Sequence, residues 1–234
     1  MKEIRISYIF SMPGGPSEVF NLRLDGEELH LLEPKGEGSP AWTALDFHQC
    51  SNCPLKSETH PQCPAARGLA DLVTRSEGLV SYDEVEVQVR TDERIISQKT
   101  TAQKGISALM GLIMATSGCP HASFFKPMAR FHLPLASEEE TIYRVTSMYL
   151  LAQYFRKLED KRADFELDGL TRIYEEMQDV NTSMASRLRA ATETDSSVNA
   201  IVLLDIYAKT LPLVIEESLE EIRYLFASYL NMDD

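Results

Sequence analysis

The stretch Glu3-Ile4-Arg5-Ile6-Ser7-Tyr8-Ile9-Phe10 decides how the first half of the chain is read. Ile4, Ile6, Tyr8 and Phe10 alternate with Glu3, Arg5 and Ser7. A period of two sends successive side chains to opposite faces, so this is a strand with one face toward a core. Met12-Pro13-Gly14-Gly15-Pro16 reads as a turn, and Phe20, Leu22 and Leu24 resume the alternation. Asp25-Gly26 reads as a hairpin turn leading into a third strand at Leu29 and Leu31. Residues 33–40, polar and rich in Gly and Pro, read as a loop, followed by a short fourth strand at Leu45 and Phe47. Val85, Val87 and Val89 predict a fifth strand, and residues 94–101 a sixth.

The remainder carries a helical period. Pro64 suits a first helical turn, where its missing N–H costs nothing, and Ala66, Leu69, Ala70 and Val73 make the stripe behind it. Residues 103–117 are apolar on most faces and end at Gly118, with Gly105 and Gly111 as close-packing points. Ser137-Glu138-Glu139-Glu140 is a capping box opening the next helix. Another follows with Leu170, Tyr174, Met177, Asn181, Met184 and Leu188, and the last runs over residues 197–230 with a kink at Pro212. The expected fold is α+β: an antiparallel sheet of about six strands, then a helical half. The expected division is residues 1–119, mainly β with a cysteine-rich loop and two helices, and residues 120–234, helical, on the same or a separate core.

The net charge is −13, from 36 acidic and 23 basic residues. That balance repels phosphate backbones and anionic membranes, so neither nucleic acid nor membrane is an expected partner. Met1-Lys2-Glu3-Ile4-Arg5 has no apolar run of a secretory signal, and the longest apolar run, residues 106–115, is too short to span a bilayer. A cytoplasmic location is expected, and in a reducing compartment cysteines serve metals or catalysis more often than disulfides.

Cys50, Cys53, Cys63 and Cys119 are the four cysteines. A Cys-x2-Cys turn points two thiolates at one ion while backbone amides donate to the sulfurs. Cys63 precedes a helix, whose dipole favours a thiolate, and Cys119 follows a helix end. Three of them precede proline, which stiffens the loop. The four are therefore candidate ligands of a structural zinc ion. An iron–sulfur cluster, a redox or catalytic thiol, and four unrelated cysteines are the alternatives. His48, His60 and His121 lie close enough in sequence to replace one cysteine. Cys119-Pro120-His121 also invites a thiol–imidazole reading.

The segments Cys50-Ser51-Asn52-Cys53-Pro54, Cys63-Pro64, Ser117-Gly118-Cys119-Pro120 and Asp179-Val180-Asn181 resemble an uncharacterised bacterial family of similar length. The resemblance implies a bacterial cytoplasmic setting and no assigned activity. Polar residues near the apolar stripes, Asp179, Asn181, Arg187, Asn199 and Asp205, read either as a ligand pocket or, more plainly, as inter-helix hydrogen bonds or exposed positions. Tyr224, Phe226 and Tyr229 are candidate contacts for a homodimer or a protein partner. No substrate or reaction follows from the sequence.

Overall fold

The computed structural model describes residues 2–32, 39–192 and 195–232. Most of the predicted loop at residues 33–40 lies outside the described residues. Four strands form one antiparallel sheet: β1 (Glu3–Ser11), β2 (Ser17–Asp25), β3 (Glu84–Thr91) and β4 (Ile95–Thr101), in the order β2-β1-β3-β4. Seven α-helices follow among the described residues: α1 (Pro64–Arg75), α2 (Ala102–Thr116), α3 (Lys126–Arg130), α4 (Glu138–Leu158), α5 (Asp168–Ala191), α6 (Asp195–Ile222) and α7 (Ala227–Leu230).

The period of two does what it predicts. Ile6, Tyr8 and Phe10 of β1, Phe20, Leu22 and Leu24 of β2, and Val85, Val87 and Val89 of β3 are all buried on one face. α2 crosses that face at Gly105, where an added Cβ would stand 2.7 Å from both Phe10 and Val87. No other residue allows so close an approach of helix to sheet. At Gly111 a Cβ would meet only Leu204, at 3.6 Å, an ordinary contact, so the close packing expected there is absent.

The sheet is smaller than the expected six strands. Asp25 does turn the chain, with its carboxylate accepting from the Glu27 and Glu28 amides at 2.9 and 2.7 Å. The return makes only an isolated bridge, Leu24 to Leu31. Leu29 takes a positive φ of 55°, and the Leu31 amide donates to the Thr116 carbonyl at the end of α2. Leu45 and Phe47 likewise make no strand. Phe47 closes a turn onto Ala44, and Leu45 donates to Pro61. In both places two apolar side chains, of which only Leu45 is fully buried, anchor a turn, a pattern that mimics a short strand.

The helical half matches its signals. The capping box forms, with Ser137 N–H donating to Glu140 Oε2 at 2.7 Å and Glu140 N–H to Ser137 Oγ at 3.1 Å. α6 contains Pro212, and the axes of Asp195–Leu213 and Glu217–Leu230 differ by 81°. The expected helix to residue 230 breaks into a 3-10 turn, Arg223–Phe226, before α7. One buried apolar cluster includes residues of the sheet, α1, α2, α4, α5 and α6. Among the described residues no single helix is long and apolar enough to cross a membrane.

A buried polar pair sits beneath the sheet. The Tyr8 hydroxyl bonds His132 Nε2 at 2.5 Å. Burial, and then the Arg144 charge, hold the His132 imidazolium down to about 4. An unfolded histidine titrates near 6.5, so between those pH values the unfolded chain binds a proton that the folded chain refuses. Stability is therefore lost as the pH falls from about 6.5 to about 4, and no further below that. Part of the ring faces an open cleft, which lessens the desolvation, so about 3 kcal/mol is the upper limit. Urea unfolding at pH 7 and pH 4.5 should show this loss in the native protein and its near absence in His132→Gln.

Candidate metal centre

Three separate segments carry the cysteines, and Cys50 lies within range of the charge of the other three. Cys63 caps the N-terminus of α1: its amide donates to the Thr43 carbonyl at 2.8 Å, and its carbonyl accepts from Arg67 at 2.9 Å. The Cys-x2-Cys turn closes with the Cys53 amide donating to the Cys50 carbonyl at 3.1 Å. Cys119 follows Gly118, whose φ of +91° ends α2 in a way that only glycine adopts easily. Its amide donates to Ser117 Oγ at 3.2 Å.

The junction between the segments is direct. His121 Nε2 donates to the Asn52 carbonyl at 2.9 Å, which fastens the Cys119 turn to the Cys50–Cys53 turn. Its Nδ1 lies 3.6 Å from a Glu176 carboxylate oxygen. Asn52 in turn donates to the Glu176 carbonyl at 3.0 Å, and Ser51 donates to Asp179 at 2.5 Å. Cys63 and Cys119 are buried, and Cys50 and Cys53 pack against the same core.

α5 supplies the floor. Glu176, Asp179, Ser183 and Arg187 recur every three or four residues and so share one stripe of the helix. Glu176 and Asp179 hold the Cys-x2-Cys turn, and the Ser183 hydroxyl bonds the Cys50 sulfur. Arg187, 1% exposed, donates to the carbonyls of Trp42, Ala44 and Leu45 at 2.8, 2.6 and 2.8 Å. It fixes the chain that enters the cysteine loop. Of this stripe, sequence reading singled out Asp179 and Arg187 and passed over Glu176 and Ser183. The three- and four-residue spacing was the available signal.

The electrostatics follow from this crowding. Burial pushes the Cys50 thiol up to about 11; the Ser183 hydrogen bond opposes this, and the three other cysteines add to it by charge repulsion. Burial also raises Cys119, against the backbone amides of His121 and Ala122, which donate to its sulfur. Two amides directed at one sulfur from the residues just after a Cys-Pro step match what thiolate ligands need. All four cysteines are free thiols. As the side chains stand, no three His, Cys, Asp or Glu groups among the described residues are set to hold a metal ion.

The histidines lie elsewhere. Both ring nitrogens of His121 face Asn52 and Glu176, and not Cys119, so the thiol–imidazole pair is not formed. His60 bonds Thr59 on the surface, and His48 packs edge-on against Phe47. A raised thiol is the opposite of an activated nucleophile. Comparison with curated proteins and with solved structures returned no match. A family model described as a domain of unknown function, DUF6901, matches residues 6–227, and the chain belongs to that family.

Proposed function

We propose that Cys50, Cys53, Cys63 and Cys119 hold one structural zinc ion in a cytoplasmic protein with a binding or regulatory role. The observation that carries this reading is the hydrogen bond from His121 to Asn52, which joins the two cysteine turns above α5. A dication offsets the mutual repulsion of thiolates gathered in one place, and the donors from Ser183, His121 and Ala122 suit their charge. Zn–S bonds of about 2.3 Å require the thiols to lose their protons and turn inward by side-chain rotation. The ion would tie the loop before α1 to the end of α2, an architectural role. Elemental analysis with a visible spectrum, on protein purified without air or chelator, tests it. The expected result is about one equivalent of zinc and no colour. Iron with sulfide and visible absorption overturns the zinc assignment in favour of a cluster, and a metal-free protein overturns the centre itself.

A further inference from the structure

A cleft of about 680 Å³ opens between β4, α2, the segment 122–144, α5 and α6, away from the cysteines. That volume falls in the range of small-molecule sites, about 300–1,000 Å³. Most of its wall is apolar, with Leu112, Met114, Phe125, Met177 and Leu204 among the lining residues.

Tyr174, Asn181, His132 and Arg144 are among the polar side chains that interrupt this wall. Tyr174 is 8% exposed; burial keeps its phenol protonated, and its hydroxyl makes no hydrogen bond among the described residues. Asn181 is 2% exposed, and its Oδ1 is buried without a partner. His132 is neutral and so carries a single ring N–H; with the Tyr8 hydroxyl donating to Nε2, that proton stands on Nδ1. Arg144 spends part of its fork on the carbonyls of Met128, Phe131 and Leu133; the Glu140 charge reaches it, but no carboxylate among the described residues forms a close ion pair with it. Buried polar groups left unmet are costly, and a set of them on an apolar wall marks where a ligand's polar end belongs.

We propose that this cleft binds a small apolar molecule carrying one carboxylate, with Arg144, Tyr174 and His132 as donors to it. A guanidinium, a phenol and an imidazole N–H all donate, which selects a group that only accepts. Lys104 lines the cleft as a second cation. Glu138 and Glu140 also line it, on exposed positions at its edge. They tolerate a single negative charge better than a dianion, which favours a carboxylate over a phosphate. The Asn181 amide can turn either end to the bound molecule.

The test is calorimetric titration of the full chain with decanoate, 1-decanol and decyl phosphate. Decanoate is expected to bind about tenfold or more tightly than decanol, the difference one charge-assisted contact makes. Ala108→Phe, which fills the cleft, should abolish decanoate binding. Arg144→Gln should weaken decanoate about tenfold and leave decanol unchanged. Because Arg144 also holds three carbonyls, the Ala108 variant and the decanoate–decanol comparison decide the matter if that variant misfolds. The proposal is overturned by no decanoate binding, by equal binding of acid and alcohol, by tighter binding of decyl phosphate, or by undiminished binding in Ala108→Phe.

Discussion

Cys119→Ser is expected to lower the melting temperature by about 8–16 °C and to abolish zinc retention. A ligand that binds only the native state, at about a thousand times its dissociation constant, stabilises it by about 4 kcal/mol. For a chain of this size each kcal/mol moves the midpoint by about 2–4 °C. Cys119 is the informative choice, because it alone comes from the end of α2, while the other three precede or begin α1. Without it the proposed ion loses its ligand from the end of α2, and only hydrogen bonds such as His121–Asn52 still join the two turns. Calorimetry with and without chelator separates the metal from simple packing. Chelator should lower the native protein by the same amount and leave Cys119→Ser unmoved. A variant that melts like the native protein removes the structural reading.

Arg187→Ala is expected to cost about 3–5 kcal/mol, or about 10 °C in midpoint. The guanidinium is among the most buried side chains, and it meets three main-chain carbonyls of one short segment. Removing it leaves those carbonyls without their donor inside the protein and opens a hole as well. Arg187→Lys should recover only part of the loss, since an ammonium is not a planar fork. Urea unfolding should show a lower midpoint at unchanged slope, and Cys50 and Cys53 should react faster with a thiol reagent. A loss under about 1 kcal/mol would mean that Arg187 is not the anchor of this segment.

Much of the architecture was legible in the chain, for reasons that particular residues make plain. β1, β2 and β3 carry three buried side chains each at a spacing of two, long enough that no other element fits. Ser137 and Glu140 announce α4 because a capping box is a local hydrogen-bond circuit. Leu29–Leu31 and Leu45–Phe47 misled because two apolar residues cannot separate a strand from an anchored turn. What decides them is the Thr116 carbonyl and the Pro61 carbonyl, partners that no local window contains. The cysteines stood out by type and spacing. Their floor did not, because Glu176 and Ser183 look like any exposed helix face until the loop is placed over them. Asn181 differs from its polar neighbours for the same reason. Asp179, Arg187 and Asn199 bond to Ser51, Trp42 and Ser81, which lie outside the α-helices, and not from helix to helix as the plainer reading expected, whereas Asn181 lines a cleft.

The strand order β2-β1-β3-β4 has a consequence for how the chain is made. Each hairpin, β1 with β2 and β3 with β4, closes between neighbours in sequence. The seam between them joins Ile6 to Thr91 and Phe10 to Val87, across the cysteine loop and α1. During synthesis from the N-terminus the first hairpin therefore emerges with Phe10, Phe20 and Leu22 on a face that later elements cover, α2 at Phe10 and Arg75 of α1 at Phe20. For that interval half a sheet is wet on its oily side and bare along the edge that β3 will take. Bare edges are what chaperones and stray strands bind. The acidic balance of the chain, useless for packing, is then of direct use, because like-charged nascent chains keep apart.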